Sequence, residues 1–207
     1  MNNILLQCNN ISYQPNGIDV LKNISLNISS NSVTAVVGPN GSGKTSLLKI
    51  LFGLNSFTNG SIQRYYSVHD SSFIFQQHTF LNMTVFEIFN HVLFCKNVKK
   101  SERLEIINEC LEKYKIQSFK NKNIKVLSGG EKQIIALIRA IILKPKVIFY
   151  DEPLNNLDSD SVNFILNILK QLYDNEVKLI IVTHDNNLLK KLDCEIIRIL
   201  NGEVLDD

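Results

Sequence analysis

The sequence predicts an α/β fold with a mainly parallel β-sheet, an N-terminal antiparallel β-subdomain and an inserted α-helical subdomain. Three observations predict it: continuous apolar strands alternate with helices, short alternating strands precede them, and residues 84–126 carry two helical patterns without a strand between them. At 207 residues the chain is long enough for one domain and too short for two full-sized ones. We predict a single domain over 1–207, with a core at about 1–83 and 128–207 and a helical subdomain at about 84–127.

The N-terminal segments favour an antiparallel sheet. Short β-like stretches occur at 4–8 (ILLQC) and 11–13 (ISY), and apolar and polar residues alternate at 24–28 (ISLNI). Between them, residues 14–19 (QPNGID) have the composition of a turn.

The core strands are continuous apolar runs. VTAVV at 33–37 ends in a glycine-rich loop that is followed by helical spacing at 46–54, and further buried-type strands occur at 147–150 (VIFY) and 178–183 (KLIIVT). Strands of this type separated by helices are typical of a parallel sheet covered on both faces.

Helical periodicity dominates the middle of the chain. It occurs at 84–94 and 101–114, with Ser101 as a candidate N-cap. The last segment, 195–207, is typical of a hairpin that turns at Asn201-Gly202.

Composition excludes several classes of protein. With 44% hydrophobic and 20% charged residues, the chain is in the range of soluble globular proteins rather than disordered or fibrous ones. A net charge of +2 and one basic cluster, KNVKK at 96–100, indicate a solvated loop rather than a nucleic-acid surface. The N-terminus shows no export signal, and no apolar run approaches the roughly 20 residues of a membrane span. The cysteines, without CxxC spacing, are expected to be free thiols: Cys8, Cys95, Cys110 and Cys194.

A phosphate-binding loop follows the first core strand. GPNGSGKT at 38–45 fits the pattern GxxxxGK[ST] between a strand and a helix, which predicts a P-loop NTPase core; an incidental glycine-rich turn is the alternative. Its glycines allow backbone N–H groups to face phosphate, Lys44 supplies charge to the β- and γ-phosphates, and the Thr45 hydroxyl can bind Mg²⁺. The predicted nucleotide contacts here are Gly38, Pro39, Asn40, Gly41, Ser42, Gly43, Lys44, Thr45 and Ser46.

Two carboxylates end the strand at 147–152 (VIFYDE). Side chains alternate along a strand, so Asp151 is predicted to bind Mg²⁺ beside Thr45 while Glu152 polarises the attacking water. The alternative is an exposed acidic strand end that turns at Pro153.

His184 follows another buried strand, in KLIIVTHD. The carboxyl ends of parallel strands meet at one edge, so we expect Lys44, the Asp151–Glu152 pair and His184 at a single site. There His184 is predicted to donate a hydrogen bond to the γ-phosphate, although a lone histidine is more often structural.

A second candidate anion site is LSGGE at 127–131. Ser128, Gly129 and Gly130 precede a helical stretch at 131–143, and helix N-termini bind anions. A helix cap formed by Ser128 is the alternative.

With these motifs in this order, the chain resembles the nucleotide-binding subunit of an ABC transporter over nearly its whole length, and LSGGE resembles the family's signature motif. The resemblance implies a head-to-tail dimer in which the signature of one copy closes on ATP held by the other. It assigns Gln76 to the metal site and to a relay to the membrane subunit, with Gln77 as the less favoured alternative. It also implies that Asp158 crosses the dimer interface and that adenine stacks on Tyr13, which could otherwise be a sheet-face tyrosine.

The chain departs from the family pattern at a few positions. Ile134 stands where arginine is frequent and Ile138 where a small residue is common, although Arg139 is retained. Asn155 and Asn156 replace a frequent Ser-Ala. These changes affect helix packing and interface detail and leave the hydrolytic set complete.

Phenylalanines surround Gln76, at positions 73, 75, 80, 86, 89 and 94. Most are expected in the core. We predict that Phe80 and Met83 are more exposed, toward a helix of a membrane subunit, than Phe73 or Phe75.

The sequence therefore predicts an Mg²⁺-dependent ATPase that binds ATP. The expected partners are a second ATP-binding subunit, as a homodimer, transmembrane permease subunits and any solute-binding protein, with no nucleic acid, at the cytoplasmic face of the cell membrane. One alternative is a soluble ABC-type ATPase of repair, translation or iron–sulfur assembly, which usually has tandem cassettes or long insertions. The other is a monomeric P-loop kinase, which LSGGE and VTHD oppose. Cargo and direction of transport are not encoded in this chain.

Overall fold

The computed structural model describes residues 4–205, which form two β-sheets with helices packed around them. The strands are β1 (Ile4–Tyr13), β2 (Leu21–Ser29), β3 (Thr34–Val37), β4 (Asn59–Arg64), β5 (Ser71–Ile74), β6 (Val147–Asp151), β7 (Lys178–Val182), β8 (Glu195–Leu200) and β9 (Glu203–Leu205). The helices are α1 (Lys44–Phe52), α2 (Val85–Cys95), α3 (Lys100–Lys113), α4 (Gly129–Ile141), α5 (Ser159–Asp174) and α6 (Asn186–Lys191).

The larger sheet has the strand order β5-β6-β7-β3-β8-β9. All of its neighbouring pairs are parallel except β8 and β9, which pair antiparallel as a hairpin around Asn201-Gly202. The smaller sheet is antiparallel, with the order β2-β1-β4. The predicted fold class and the C-terminal hairpin are therefore confirmed.

Alternation along the central strands divides the core into two layers. On β6, Ile148 and Tyr150 face a cluster that includes α2 to α5, whereas Val147 and Phe149 face the other cluster, with α1 and the antiparallel sheet. The strand is buried at every residue because both faces are covered, which is why its sequence is a continuous apolar run.

Two details of the β-strands differ from the prediction. The stretches predicted as separate strands belong to one strand, β1, whose pairing shifts register between Cys8 and Ile11, where Asn10 has a positive φ of 50°. Strands β4 and β5 were not predicted, because NGSIQR carries a glycine and little apolar alternation and SSFI is very short.

The inserted helical segment is closed by a short antiparallel contact. The Thr84–Asn123 bridge and the bond from Ile124 N to Met83 O (3.0 Å) bring its two ends together. Thr84 caps α2 in a capping box with Glu87. The prediction that Ser101 is an N-cap is wrong: α3 begins at Lys100, so Ser101 lies inside the helix and Lys99 takes the cap position, with no side-chain cap bond among the described residues. We propose 84–127 as the helical subdomain of a single domain, 1–207, whose core is 1–83 and 128–207.

The prediction for the phenylalanine stretch is wrong in part. Phe75 is 41% exposed, whereas Phe80 and Met83 are half-buried and pack against the helical core. Phe80 is covered because the Arg139 guanidinium lies 4.8 Å from its ring centroid. Phe73 is half-buried like Phe80 and Met83, with its ring 5.4 Å from that of Phe52.

No helix within residues 4–205 combines the length and the apolar character needed to cross a membrane.

Candidate functional site

The P-loop connects β3 to α1. Gly43 occupies the N-cap position of α1 with φ 102°, and a Cβ there would lie 2.7 Å from Leu21 Cδ2 and 2.9 Å from Val20 O. Only glycine combines this conformation with so close an approach to the start of β2. No side chain within residues 4–205 caps α1, so its first N–H groups remain available to a ligand.

Lys44 lies folded along the loop. Its side chain is buried, and Nζ donates to the carbonyl oxygens of Gly38 and Pro39, each at 2.9 Å. The ammonium group is thus held within the concave side of the loop, where the helix N-terminus also attracts anions.

Thr45 joins the P-loop to β6. Its hydroxyl donates to the Asp151 carboxylate, with distances of 2.9 Å to Oδ2 and 3.2 Å to Oδ1. Burial raises the pKa of Asp151 above its usual value; the Thr45 hydrogen bond opposes this rise and the neighbouring Glu152 adds to it. A cation beside Asp151 would favour its charged form.

A cleft of about 330 Å³ brings together eight of the predicted site residues, six of them from the P-loop and the start of α1. It is lined by Val20, Asn40, Gly41, Gly43, Lys44, Thr45, Ser46, Gln76 and Glu152. Gln76 lines this cleft and Gln77 does not. Pro39 and Ser42 belong to the same loop: the carbonyl of Pro39 accepts from Lys44, and Ser42 is buried.

Glu152 lies at the junction of two cavities. It lines the P-loop cleft and also a second cavity of about 270 Å³, together with Asn155, Asn156 and His184. Its φ is 51°, an uncommon value for a non-glycine residue, and its N–H donates to Val182 O at 2.9 Å. His184 Nδ1 lies 3.0 Å from Glu152 Oε2, so the structure brings these two residues together at the carboxyl ends of β6 and β7.

The N-terminus of α4 lies outside this cleft. Ser128 caps the helix: its Oγ accepts from Glu131 N at 3.2 Å, and Glu131 Oε2 accepts from Ser128 N at 2.7 Å. Ser128 therefore forms the helix cap, and the anion contact predicted for it would lie at this same exposed N-terminus of α4.

The two glycines of the signature have different surroundings. A Cβ on Gly130 would lie 2.3 Å from Ser161 Oγ and 3.0 Å from Asp158 Oδ2, on the first turn of α5. A Cβ on Gly129 would meet no atom of residues 4–205 within 4 Å. Gly130 therefore permits the close contact of α4 with α5, and Gly129 borders open space.

Asp158 and Tyr13 occupy local structural positions. Asp158 caps α5 by accepting from Asp160 N and Ser161 N, and these bonds, the Ser161 bond first, lower its pKa. Tyr13 is partly buried at the end of β1, where its hydroxyl accepts from Asn55 Nδ2 at 3.3 Å.

Two polar residues near the site were not predicted from the sequence: Gln133, which is buried, and His78, which is half-buried. Gln133 is 6% exposed on the apolar face of α4 and contacts His78, Tyr150 and the Pro153 carbonyl. Burial lowers the pKa of His78, and the Arg139 charge adds to this effect while the Gln133 hydrogen bond opposes it. The available signal was a glutamine placed among isoleucines on the buried face of a helix.

The residues fit Mg²⁺ bound together with a nucleotide. Thr45 and Asp151 supply the hard oxygen ligands that this cation prefers, and Gln76 adds an amide oxygen in the same cleft. Residues 4–205 contain no cluster of three or more His, Cys, Asp or Glu side chains arranged to hold a metal alone.

The family model and the similar curated proteins all point to ATP-binding subunits of ABC transporters. The sequence matches the family described as ABC transporter over residues 21–155. It is 34% identical to the lipoprotein-releasing system ATP-binding protein LolD of Buchnera aphidicola subsp. Acyrthosiphon pisum, covering 100% of this chain and 99% of that one. It is 29% identical to the Fe(3+) ions import ATP-binding protein FbpC of Pasteurella multocida, covering 99% of this chain and 61% of that one.

Solved structures of ABC transporter cassettes are also similar to this chain. A dimeric bacterial ABC transporter cassette is similar, with a TM-score of 0.84 and 28% identity over 97% of both chains. A dimeric ATP-binding cassette in a post-hydrolysis state, bound to ADP and phosphate, is similar with a TM-score of 0.84 and 27% identity, again over 97% of both chains.

Proposed function

The chain belongs to the ABC transporter family as an ATP-binding subunit that hydrolyses ATP, and we propose that hydrolysis takes place in the cleft between the P-loop, Gln76 and Glu152. The observation that carries this proposal is the Thr45–Asp151 hydrogen bond, because it joins the P-loop to β6 directly beside Glu152. Family membership excludes the monomeric kinase that the P-loop alone would have allowed.

The P-loop binds the phosphates of ATP in this proposal. The uncapped N-terminus of α1 presents backbone N–H groups and the positive end of the helix dipole to them. Lys44 exchanges its carbonyl partners on the loop for the β- and γ-phosphates. The adenine ring stacks on Tyr13.

Thr45, Asp151 and Gln76 would hold Mg²⁺ beside the phosphates. When bound, the ion supplies positive charge that neutralises the β- and γ-phosphate oxygens. Burial raises the pKa of Asp151, and a bound cation would offset this effect by stabilising the charged carboxylate.

Glu152 acts as the general base for the attacking water. It lines the phosphate cleft, and the His184 imidazole contacts its carboxylate at 3.0 Å. We propose that His184 orients Glu152 through its Nδ1 contact and donates a hydrogen bond from its other ring nitrogen, Nε2, to the γ-phosphate. Asp185, whose side chain caps α6 through Leu188 N, holds the segment that carries His184.

The subunit works as a dimer, and we propose that the N-terminus of α4 serves the nucleotide of the second copy. Ser128 and Gly129 are exposed and lie outside the cleft of their own chain, so they are available to another molecule. Gly130 supports their position through its contact with α5, and Asp158, at the start of α5, lies beside it. Closure of the dimer on two ATP molecules and reopening after hydrolysis drive transport.

Transmembrane permease subunits are the proposed partners, with any solute-binding protein, and they hold this chain at the cytoplasmic face of the membrane. The relative with 34% identity is named as part of a lipoprotein-releasing system, so a permease of that system is the first candidate. Affinity purification from detergent-solubilised membranes, followed by mass spectrometry, would identify the permease that copurifies. Recovery of the chain only as a soluble species would contradict this part of the proposal.

The Glu152→Gln substitution tests the general base. We expect steady-state ATP hydrolysis to fall by about a hundredfold or more, because the amide cannot accept a proton from water. ATP binding should persist, so MgATP should convert the variant to dimers on gel filtration. Phosphate release and elution volume measure the two effects.

Glu203→Gln, an exposed position on the C-terminal hairpin, serves as the matched control and should hydrolyse ATP at the wild-type rate. Near wild-type turnover by Glu152→Gln would exclude Glu152 as the base. An inactive variant that stays monomeric with MgATP would contradict the proposed dimer.

A further inference from the structure

The side chain of Gln133 is a buried polar group on an otherwise apolar helix face. It is 6% exposed, and the residues that follow it on α4 belong to the hydrophobic core. Its amide nitrogen donates to Tyr150 Oη at 2.9 Å and to Pro153 O at 3.0 Å, and its Oε1 contacts His78 Nε2. All three partners come from segments distant in sequence.

Hydrogen-bond chemistry determines the direction of these contacts. The Pro153 carbonyl oxygen can only accept, so the Gln133 amide must turn its NH₂ group toward it. Oε1 then faces His78 and accepts, so His78 carries its proton on Nε2. The Gln133 side chain is thus fixed in one orientation with every polar atom engaged.

The partners of Gln133 lie next to the proposed reactive residues. Tyr150 directly precedes Asp151, and Pro153 directly follows Glu152. The peptide before Glu152 is held by the bond from its own N–H to Val182 O, and the Pro153 carbonyl is held by Gln133. Both bonds restrain a glutamate whose φ of 51° is unfavourable for a non-glycine residue.

His78 extends the connection to the other side of the cleft. It lies two residues after Gln76, and its ring is 6.0 Å from that of Phe80. Phe80 is in turn covered by the Arg139 guanidinium, at 4.8 Å. The segment after Gln76 therefore lies along α4 at two points, Gln133 and Arg139.

We infer that Gln133 is a positioning residue for ATP hydrolysis: through Pro153 it holds Glu152, and through His78 it holds the segment that carries Gln76. One side chain of the signature helix thereby aligns both sides of the cleft, and a shift of α4 alters both together. This inference rests on the proposed role of Glu152 as the base.

Gln133→Leu removes all three hydrogen bonds with a side chain of similar size. We expect kcat to fall about tenfold to hundredfold, since small displacements of a reactive group have effects of this size. The dissociation constant for MgATP should change by less than about twofold, because Gln133 does not line the phosphate cleft. Kinetics and titration with a fluorescent ATP analogue measure the two quantities, and circular dichroism checks the fold.

His78→Leu separates alignment from packing. If His78 acts through Gln133, the His78→Leu substitution should lower kcat by itself. The kcat of the double variant should then be no lower than that of Gln133→Leu alone. Gln171→Leu, the same change at an exposed position of α5, is the matched control and should keep the wild-type kcat.

An unchanged kcat in folded Gln133→Leu would overturn the inference, as would a loss of MgATP affinity equal to the loss of kcat. If Gln133→Leu does not fold, an unchanged kcat in His78→Leu would overturn it instead. Failure of the general-base proposal is distinguishable, because it appears as turnover by Glu152→Gln whatever the Gln133 variants do.

Discussion

The N-terminal ends of α1 and α4 are both suited to anions, yet they differ in how their backbone groups are used. The α1 end begins at Gly43, has no side-chain cap from the described part of the chain, and borders the cleft lined by Gln76 and Glu152. The α4 end is closed by a capping box in which Ser128 and Glu131 satisfy each other's backbone N–H groups. The first end is left open for a ligand, whereas the second is stable without one.

The surroundings of the two ends differ in the same way. The chain itself supplies reactive side chains around the start of α1, whereas the exposed start of α4 lies beside the first turn of α5, which Gly130 contacts. The start of α1 can therefore form half of a reaction centre within its own chain. The start of α4 needs a second molecule to have a comparable role. The predictions below test this division.

The largest effect is expected from mixing two inactive variants. Lys44→Ala removes the positive charge that binds phosphate at the start of α1. Gly129→Asp places a negative charge, which repels phosphate, at the start of α4, where the added atoms have room. Each variant alone should be nearly inactive. A mixture should regain up to about a quarter of wild-type ATPase activity, because half of the dimers would contain one site built from two intact ends.

Phosphate release from equimolar mixtures measures this recovery, and mixtures of each variant with itself are the controls. If the α4 end served the nucleotide of its own chain, the mixture would remain as inactive as its parents.

The two signature glycines should differ in their effect on stability. Gly130→Ala should lower the free energy of unfolding by about 1–3 kcal/mol, because its Cβ would overlap Ser161. Gly129→Ala should leave this free energy unchanged or raise it by up to about 1 kcal/mol, since alanine is the better helix former and has space. Urea denaturation measures both; equal destabilisation would contradict the assigned packing.

Glu131→Gln should make the α4 end more attractive to phosphate. The amide oxygen can still accept from Ser128 N, but the negative charge at the helix N-terminus is lost. In the Glu152→Gln background, half-maximal dimer formation should need about twofold to fivefold less ATP. Gel filtration over a range of ATP concentrations measures the shift, and an unchanged midpoint would show that this end does not approach the phosphate.

The smallest effect concerns Asp158, the cap of α5. Hydrogen bonds from Ser161 lower its pKa below the ordinary 3.8, so its stabilising contribution is complete above that pH and is lost as the pH falls through the folded-state value. Asp158→Asn keeps a capping oxygen and does not titrate. Its melting temperature should therefore fall less than that of the wild type between about pH 4 and 3. Parallel melting curves would contradict this assignment.

Much of the site could be predicted because its parts have local signatures. A glycine-rich loop between a buried strand and a helix predicted the P-loop cleft, and apolar strands ending in Asp151 and His184 predicted the edge where they meet. The solvent exposure of the phenylalanine side chains near the helical segment could not be predicted from local sequence. Phe75 and Phe80 have the same chemistry, and Arg139, far along the chain, covers only the second.

The sequence by itself determined the α/β class, the phosphate loop and the capped start of α4, since these depend on apolar periodicity, glycine conformations and hydrogen bonds between near neighbours. Only the tertiary structure decided that Gly130 packs on Ser161 while Gly129 borders open space, and that Gln133 links Pro153 to His78. These contacts join segments that are distant in sequence, and their energies depend on distances of a few ångströms that no local pattern encodes.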